Sequence, residues 1–210
     1  MDGARLQTLI YKGYGKEAEK VGFDYEVFRA ASFLSPTQSA YSMGTLKCSF
    51  AADEKMSVSN KYQTPTWILR ADGNQLEVLD FLVGPYGTFY VASKQPNLPM
   101  EAVRCNSAVS IGRVSYDTDP VTGVLAPVVT NYAEALPMFK QYRREDIRRD
   151  ASTGEEIGNA ITHWRAFIPL PIETLQQGDI IVDENDIKYT VDAPDFTSAG
   201  YAANIRLASL

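Results

Sequence analysis

The sequence predicts a mainly β protein: an antiparallel barrel or sandwich with one N-terminal α-helix, a long extended loop or arm, and only a minor α+β character. Apolar residues alternate from Val103 to Ile111, which is the period of a half-buried strand. Two hairpin-like segments, at 80–91 and 179–191, place short β-branched runs on either side of a polar turn. The predicted organisation is a helix and first strand at 1–34, an arm at 35–66, and a β-barrel or sandwich domain at 67–210.

The hairpin within residues 164–192 is the most clearly patterned part of the chain. A turn at Gly178 and Asp179 leads into an apolar run at 180–182, and two apolar residues alternate after a polar tip. Residues 80–91 have the same arrangement with a shorter tip. The match indicates either a duplicated structural unit or the general likeness of short hairpins. The paired positions are Asp80 with Asp179, Val83 with Val182, Phe89 with Tyr189, and Val91 with Val191.

Residues 3–21 are predicted to form an amphipathic helix, with Asp2 as its N-cap and Gly22 as its end. Gly13 and Gly15 lie inside it, where a glycine costs up to about 1 kcal/mol relative to alanine. They indicate either a close approach of the helix to another element, such as a neighbouring subunit, or a weak helix. The predicted apolar face consists of Leu6, Leu9, Ile10, Tyr14, Ala18 and Val21.

Residues 35–66 are predicted to form the arm. Polar residues dominate this stretch, Pro36 and Pro65 stand near its ends, and its apolar residues occur mostly singly. A segment of this length without periodicity is uncommon inside a compact domain and is usually a functional loop or an extension. We expect it to protrude and to contact a neighbouring subunit. Before it, a short alternation around Tyr25 and Val27 predicts one strand.

From Trp67 onward the sequence predicts a series of strands. The strand at 103–111 should end or bulge near Gly112, because Val114 is out of phase with the alternation. Alternate apolar residues at 201–207 should close the sheet. The other predicted features are a turn at 71–74, a turn-rich loop at 116–123, and a strand at 125–132 that Pro127 interrupts.

Charge and composition narrow the function classes. The chain has a formal net charge of −6 and a pI near 4.9, whereas an obligate nucleic-acid binder is usually basic. No stretch approaches the roughly 20 apolar residues of a membrane helix. The N-terminus lacks an apolar signal segment, so we expect synthesis in the cytoplasm and no membrane partner. Cys48 and Cys105 are far apart and predict free thiols, with Cys105 in the core.

One run of the chain concentrates basic residues, and acids are interspersed among them. Such a mixed run is usually a solvated surface, because exposed ion pairs are common and individually weak. The alternative is a contact patch for an acidic neighbour or for DNA that passes nearby. The residues of this possible protein-contact patch are Lys140, Arg143, Arg144, Arg148 and Arg149.

No catalytic, cofactor-binding or metal-binding constellation can be recognised. The chain has neither a phosphate-binding glycine loop that ends in Lys-Ser or Lys-Thr nor a Gly-x-Ser-x-Gly elbow. Its one histidine, His163, has no ligand partners at a suitable spacing and is interpreted as structural. The acidic run 183–186 lacks the spacing of a calcium loop and is interpreted as a polar hairpin tip. We therefore expect no cofactor, no metal and no enzymatic activity.

Two longer segments carry a resemblance to a known group of proteins. Residues 83–99 read VGPYGTFYVASKQPNLP, and residues 103–106 read VRCN. Together they resemble virion proteins that tailed bacteriophages encode among their head and neck genes. The stretch YKGYGKEA at 11–18 is similar to the start of the same group, and the Gly178-Asp179 hairpin is similar to the β-barrel of head-closure and neck proteins. The group commonly has an arginine after the position of Asn106, where this chain has Ser107, so no role of an arginine is carried over.

The resemblance implies a structural virion protein that forms a homo-oligomeric ring at the head–tail junction, the connector or neck. The implied partners are the portal or an adaptor, tail proteins, and phage DNA that passes through the channel without sequence-specific binding. An acidic channel wall would repel phosphates, and the basic run would then face a protein neighbour. Two alternatives stay open. One is a tail terminator, baseplate or fibre-attachment protein, and the other is a small hydrolytic enzyme that uses His163 and nearby acids.

Overall fold

The computed structural model describes residues 2–52, 66–118, 125–144, 148–149, 156–157, 162–197 and 199–208. The predicted mainly β class is confirmed, because the described residues contain one N-terminal α-helix, α1 (Gly3–Val21), and are otherwise mainly antiparallel strands. No helix in these residues is long and apolar enough to span a membrane.

The first half of the chain closes into a six-stranded barrel, which we call barrel 1. Its order is β1-β2-β3-β6-β5-β4, and every neighbouring pair is antiparallel. A short 3₁₀ helix (Ser39–Tyr41) precedes the second strand. The strands are β1 (Phe23–Phe28), β2 (Ser42–Ala52), β3 (Thr66–Arg70), β4 (Phe81–Gly84), β5 (Gly87–Ser93) and β6 (Met100–Arg104).

The second half closes into another six-stranded barrel, barrel 2, in the order β7-β8-β11-β14-β13-β12. A separate two-stranded sheet pairs β9 with β10. The predicted closure by the C-terminal strand is confirmed, since β14 pairs with both β11 and β13. The strands are β7 (Ser107–Thr118), β8 (Leu125–Arg144), β9 (Arg148–Arg149), β10 (Glu156–Ile157), β11 (Thr162–Ile168), β12 (Ile180–Asp183), β13 (Lys188–Thr197) and β14 (Gly200–Leu207).

The two barrels are a structural repeat. They have the same strand order, and the β4–β5 hairpin of barrel 1 corresponds to the β12–β13 hairpin of barrel 2. The duplicated unit that the hairpins indicated is therefore confirmed, with the four predicted pairs of positions in place. The register extends the correspondence to Phe50 with Lys140, Trp67 with Trp164, Gly84 with Asp183, and Arg104 with Leu207.

The two barrels pack against each other through one face of barrel 1. Leu82 and Phe89 point into barrel 1, while their neighbours Phe81 and Tyr90 point outward and join the core cluster of barrel 2. Val103 does the same from β6 and is only 2% exposed. Only Cys105 and Asn106 separate β6 from β7. The alternation at 103–111 therefore spans two strands and the link between the barrels, not one strand as predicted. The predicted irregularity near Gly112 is confirmed by a register shift there.

Helix α1 has the predicted ends, with the Asp2 carboxylate accepting a hydrogen bond from the Ala4 N–H and Gly22 at its C-terminus. Its predicted face is confirmed in part, because Ala18 is buried and Tyr14 packs against the core of barrel 1. Tyr11 and Ala18 are buried against barrel 1, whereas Leu6, Leu9 and Val21 are exposed. The close approach that Gly15 indicated is made within the chain, because a Cβ there would lie 3.0 Å from the Cβ of Asp72; Gly13 has open space beside it.

The predicted division into an arm at 35–66 and a single β domain from 67 is wrong. Residues 42–52 form β2, a strand of barrel 1, and residues 33–35 hydrogen-bond to Glu134 of barrel 2. The sequence signal was present, since Leu46, Cys48 and Phe50 are two residues apart and alternate with polar side chains. Residues 53–65 lie outside the described part of the chain.

Candidate assembly surfaces

A long two-stranded hairpin extends from barrel 2. Strands β7 and β8 pair from Ser107 and Met138 out to Thr118 and Leu125, whereas β12 pairs with β7 only as far as Gly112. The segments 113–118 and 125–130 therefore form a ribbon beyond the barrel wall. The sequence predicted a turn-rich loop at 116–123, but residues 116–118 belong to this ribbon and 119–124 lie outside the described residues.

The ribbon has one apolar face that the barrel does not cover. Cross-strand pairing puts Val114 with Val129 and Thr118 with Leu125, so these side chains share a face with Tyr116. Tyr116 is 68% exposed and Leu125 is 64% exposed. Large exposed apolar side chains concentrated on one projecting element indicate a contact surface for another protein. Asp117 is adjacent in sequence to Tyr116, but its side chain lies on the opposite face of the ribbon and is exposed.

A second apolar surface lies at the open end of barrel 1. A cavity of about 400 Å³ is lined mainly by aromatic side chains, with Arg104 at its rim. We call it the aromatic pocket. Phe50 stacks on Phe89 with ring centres 3.9 Å apart, and Trp67 meets Phe89 edge to face at 6.5 Å. The rim pair Phe23 and Tyr86 packs edge to face at 4.8 Å, and both side chains are about half exposed.

The equivalent end of barrel 2 contains a charged pair. Lys140, at the position of Phe50, forms an ion pair with Asp183, at the position of Gly84. The Lys140 ammonium also lies 5.4 Å from the centre of the Tyr189 ring. Burial raises the pKa of Asp183, but hydrogen bonds from Lys140 and from the backbone N–H groups of Ile187 and Asn185 outweigh it and hold the pKa below its ordinary value.

A matched salt bridge fixes the hairpin of each barrel. In barrel 1 the Arg29 guanidinium donates two hydrogen bonds to Asp80, at 2.9 and 2.8 Å. In barrel 2 Arg113 donates two to Asp179, both at 2.9 Å. Each aspartate is 2% exposed. Each also accepts a hydrogen bond from a backbone N–H three residues earlier, Asp80 from Glu77 and Asp179 from Gln176. Bidentate geometry of this kind is among the stronger side-chain interactions.

The salt bridge of barrel 2 has one additional partner. The Tyr132 hydroxyl donates to Asp179 at 2.7 Å. Burial raises the pKa of the Asp179 carboxyl, but the donors Arg113, Tyr132 and the Gln176 N–H together lower the pKa below its ordinary value. Burial also raises the pKa of Tyr132, as does its bond to a carboxylate. Both oxygens of Asp179 are thus engaged by donors of the protein itself.

Of the residues in the predicted contact patch, only Lys140 has a described side chain. Lys140 is directed into the end of barrel 2, where its side chain is only 13% exposed, so its assignment to a surface patch is wrong. Arg143 and Arg144 lie at the end of β8 and Arg148 and Arg149 form β9, and only their backbones are described.

The other candidate residues have the following positions. His163 lies in β11 opposite Arg143, and its backbone alone is described. The predicted polar tip at 183–186 is confirmed: the Asp183 side chain caps it through the N–H groups of Asn185 and Ile187, each at 2.9 Å. Among the described residues, no group of three His, Cys, Asp or Glu side chains converges on a metal position.

Both cysteines are free thiols, as predicted. Burial raises the pKa of Cys48 to about 12 and also raises the pKa of Cys105. A thiol with a raised pKa stays protonated at neutral pH and is a poor nucleophile. Cys105 packs against the core cluster of barrel 2, at the link between the barrels.

Sequence reasoning missed both apolar surfaces. The hairpin contains Pro127, Gly123 and an Asp-Pro pair, which are typical of loops. The alternation of Val114 with Tyr116 was its available signal. The aromatic pocket combines side chains from several strands, which no local pattern can indicate.

Comparisons of the chain with protein-family models, with curated proteins and with solved structures return no match.

Proposed function

We propose that the chain is a structural virion protein of a tailed bacteriophage that assembles as a homo-oligomeric ring at the head–tail junction, through which DNA passes. The observation that carries the proposal is the projecting β7–β8 ribbon, whose apolar face is left exposed by the chain itself. An exposed apolar face on an unpaired ribbon is unfavourable for a free monomer, and assembly with a neighbour removes it from water.

The resemblance to head and neck proteins supports the location. Its longest segment, residues 83–99, covers the β4–β5 hairpin and the loop to β6, and residues 103–106 end β6 and link the two barrels. These residues build the packing between the barrels, through Tyr90 and Val103. They therefore fit a role in architecture better than a role in chemistry.

The net charge of −6 fits a passage for DNA. An acidic wall repels phosphates, and because the Debye length is about 8 Å in physiological salt, only residues that line the channel matter. Under this proposal the ring contacts the portal or an adaptor on one side and tail proteins on the other, after synthesis in the host cytoplasm.

The buried carboxylates argue against the enzymatic alternative. Asp179 is saturated by Arg113, Tyr132 and a backbone N–H, and Asp183 by Lys140 and two backbone N–H groups. A general acid or base needs a free oxygen within reach of substrate. These two acids are instead structural groups that hold the β12–β13 hairpin.

Cryo-electron microscopy of particles of the phage that encodes the chain tests the proposal. We expect a closed ring of copies around the axis between portal and tail. Density only at the tail tip or on fibres would favour the baseplate alternative and contradict the neck location. Absence of the chain from purified particles would contradict a virion role altogether.

A further inference from the structure

We propose that the aromatic pocket of barrel 1 is a binding site for a small organic anion, a molecule with a flat apolar body and one carboxylate that pairs with the Arg104 guanidinium. The inference concerns barrel 1 alone and does not depend on the proposed virion role. The aromatic side chains and Arg104 have separate tasks in it, since the rings hold the apolar body and the arginine selects the charge.

The walls of the pocket suit a flat apolar body. Phe50 and Phe89 are nearly parallel, with 16° between their ring planes, and Trp67 stands at 89° to Phe89. Two more rings, those of Phe23 and Tyr86, line the pocket and are about half exposed. Aromatic rings bind a further ring through stacked and edge-to-face contacts, which stabilise a complex beyond the area that they bury.

The size of the pocket favours a small molecule over a folded segment of another protein. Its volume of about 400 Å³ lies near the lower end of the roughly 300–1,000 Å³ that is usual for small-molecule sites. A single turn of α-helix, about 10 Å wide and about 5.4 Å long, takes up about as much space on its own. The occupant that fits is therefore a free small molecule.

The charge of the pocket favours an anion. Among the described residues that line it, Arg104 is the only one with a charged side chain. Arg104 is the direct cross-strand partner of Phe89, so the two side chains lie on the same face of the sheet. Within the described part of the chain, the exposed Arg104 side chain forms no ion pair. Burial raises the pKa of the Cys48 thiol to about 12, so this neighbour adds no negative charge at neutral pH.

The same residues disfavour other classes of ligand. Aromatic rings alone attract quaternary ammonium groups, but the Arg104 guanidinium would repel them. An inorganic anion would pair with the guanidinium and leave the aromatic walls without a contact. A carboxylate matches the planar fork of an arginine and can accept two hydrogen bonds from it. An organic carboxylate is thus the class that uses both parts of the pocket.

Barrel 2 provides an internal comparison, because its side chains differ at the matched positions. Leu207 stands in the place of Arg104. Lys140 stands in the place of Phe50, and Asp183 of the same chain neutralises its ammonium group. At these positions the unpaired cation beside stacked rings is therefore a property of barrel 1 and not of the repeated fold.

Titration calorimetry with three probes tests the charge preference. The probes are naphthylacetate, naphthylethanol and naphthylethylammonium, which share one apolar body and differ in charge. We expect one naphthylacetate to bind per chain, with a Kd of about 1 mM or tighter. The alcohol should bind about fivefold or more weakly, and the ammonium more weakly still. No binding, binding at several sites, or equal affinities for the three probes would overturn the inference.

Two variants separate the charge from the aromatic body. Arg104→Leu introduces the residue that barrel 2 has at this position, and it should bind naphthylacetate only as well as the alcohol, whose affinity should not change. Tyr86→Ala, at an exposed position, should weaken both probes by a similar factor of about threefold or more. Thermal unfolding of each variant checks that it is folded.

Arg206→Leu is the matched control, because it removes an exposed arginine of barrel 2 and should leave the affinities for all three probes unchanged. A preference for the anion that persists in Arg104→Leu, or that Arg206→Leu also removes, would contradict the assignment to Arg104. Unchanged binding by folded Tyr86→Ala would contradict the assignment to the aromatic pocket. Self-association that Tyr86→Ala abolishes, in a chain that binds none of the probes, would assign the pocket to a protein contact instead.

The outcome for the proposed function is separate. A chain that forms a ring in particles and binds no organic anion would lose this inference alone. A chain that binds naphthylacetate as expected and is missing from particles would lose the virion role alone.

Discussion

The two barrels have the same strand order and differ in the side chains on their outer faces and at one end. On the face that packs against barrel 2, barrel 1 has Ala92 and Val103, whereas the same positions of barrel 2 are Asp192 and Arg206. The last two form an ion pair at 3.0 Å in an exposed setting. The same backbone thus carries an apolar docking face in one copy and a solvated face in the other. The side chains on this face, and not the backbone, therefore determine which barrel has a buried packing face and which has a solvated one.

The largest effect is expected from exchanging these two faces. Val103→Arg places a charge in the buried packing between the barrels and should lower the free energy of unfolding by more than about 4 kcal/mol, or prevent folding. The reciprocal change, Arg206→Val, removes one exposed ion pair and should alter it by less than about 1 kcal/mol. Urea unfolding followed by tryptophan fluorescence measures both. Equal losses for the two variants would show that the faces are not distinct.

The next comparison concerns the two salt bridges. Asp179→Ala should cost about 1–3 kcal/mol more than Asp80→Ala, because it also removes the acceptor of the Tyr132 hydroxyl. Each change leaves an arginine whose side chain is still a third or more exposed and can be hydrated, which limits the common part of the cost. Tyr132→Phe should reduce the difference between the two variants in a double-mutant cycle. A difference that persists when Tyr132→Phe is present in both variants would locate its cause elsewhere.

A dependence on pH follows from the lowered pKa values in barrel 2. The pKa of Asp183 is lowered on folding, so its contribution to stability is present above the ordinary aspartate pKa of about 3.9 and is lost as the pH falls through the lower folded value. The wild type should therefore lose stability below about pH 4. Asp183→Asn should start less stable at pH 7 and lose less on acidification. Asp192→Asn is the control at a partly exposed position. If stability fell as gradually with pH in Asp192→Asn as in Asp183→Asn, the assignment to Asp183 would be contradicted.

The smallest expected effect distinguishes the turns before the two aspartates. Gly178 has a φ of +89° and Leu79, at the same position of barrel 1, has +72°. Since nothing lies within 4 Å of a Cβ at Gly178, Gly178→Ala should cost about 1 kcal/mol from backbone conformation alone. Gly13→Ala, in the helix and equally unobstructed, should instead add about 0.5–1 kcal/mol. Thermal unfolding measures both, and a shift of the same sign would show that the backbone conformation is not the cause.

The sequence was sufficient for the local structure. The helix ends, the turn at 71–74 and the two hairpins follow from capping, turn chemistry and period-two patterns, and the Asp80–Asp179 match indicated the repeat itself. The sequence was insufficient where polar residues interrupt an apolar pattern and where one pattern continues through two strands. The pattern of strand β2 does not distinguish it from an arm, because polar residues separate its apolar ones. Residues 103–111 keep their alternation across the link between the two barrels, so the pattern does not show where β6 ends and β7 begins.

The candidate surfaces were beyond sequence reasoning for a physical reason. The aromatic pocket exists because Phe50, Trp67 and Phe89 come from three strands that meet only in the closed barrel. The sequence places Lys140 in a run of basic residues, a pattern that predicts a surface cation. Its inward direction depends on Asp183, which is far along the chain and adjacent only through the fold.

The link between the barrels has a mechanical consequence. Arg104 at the pocket rim and Tyr116 on the hairpin belong to one nearly continuous extended run, β6 followed by β7, interrupted by Cys105 and Asn106 alone. At the interruption Asn106 bonds through its side-chain amide to both the N–H and the carbonyl of Lys140, each at 2.8 Å. Force applied to the hairpin would therefore be carried first by the covalent backbone and by the two Asn106–Lys140 hydrogen bonds. The side-chain packing between the barrels would carry it only after these.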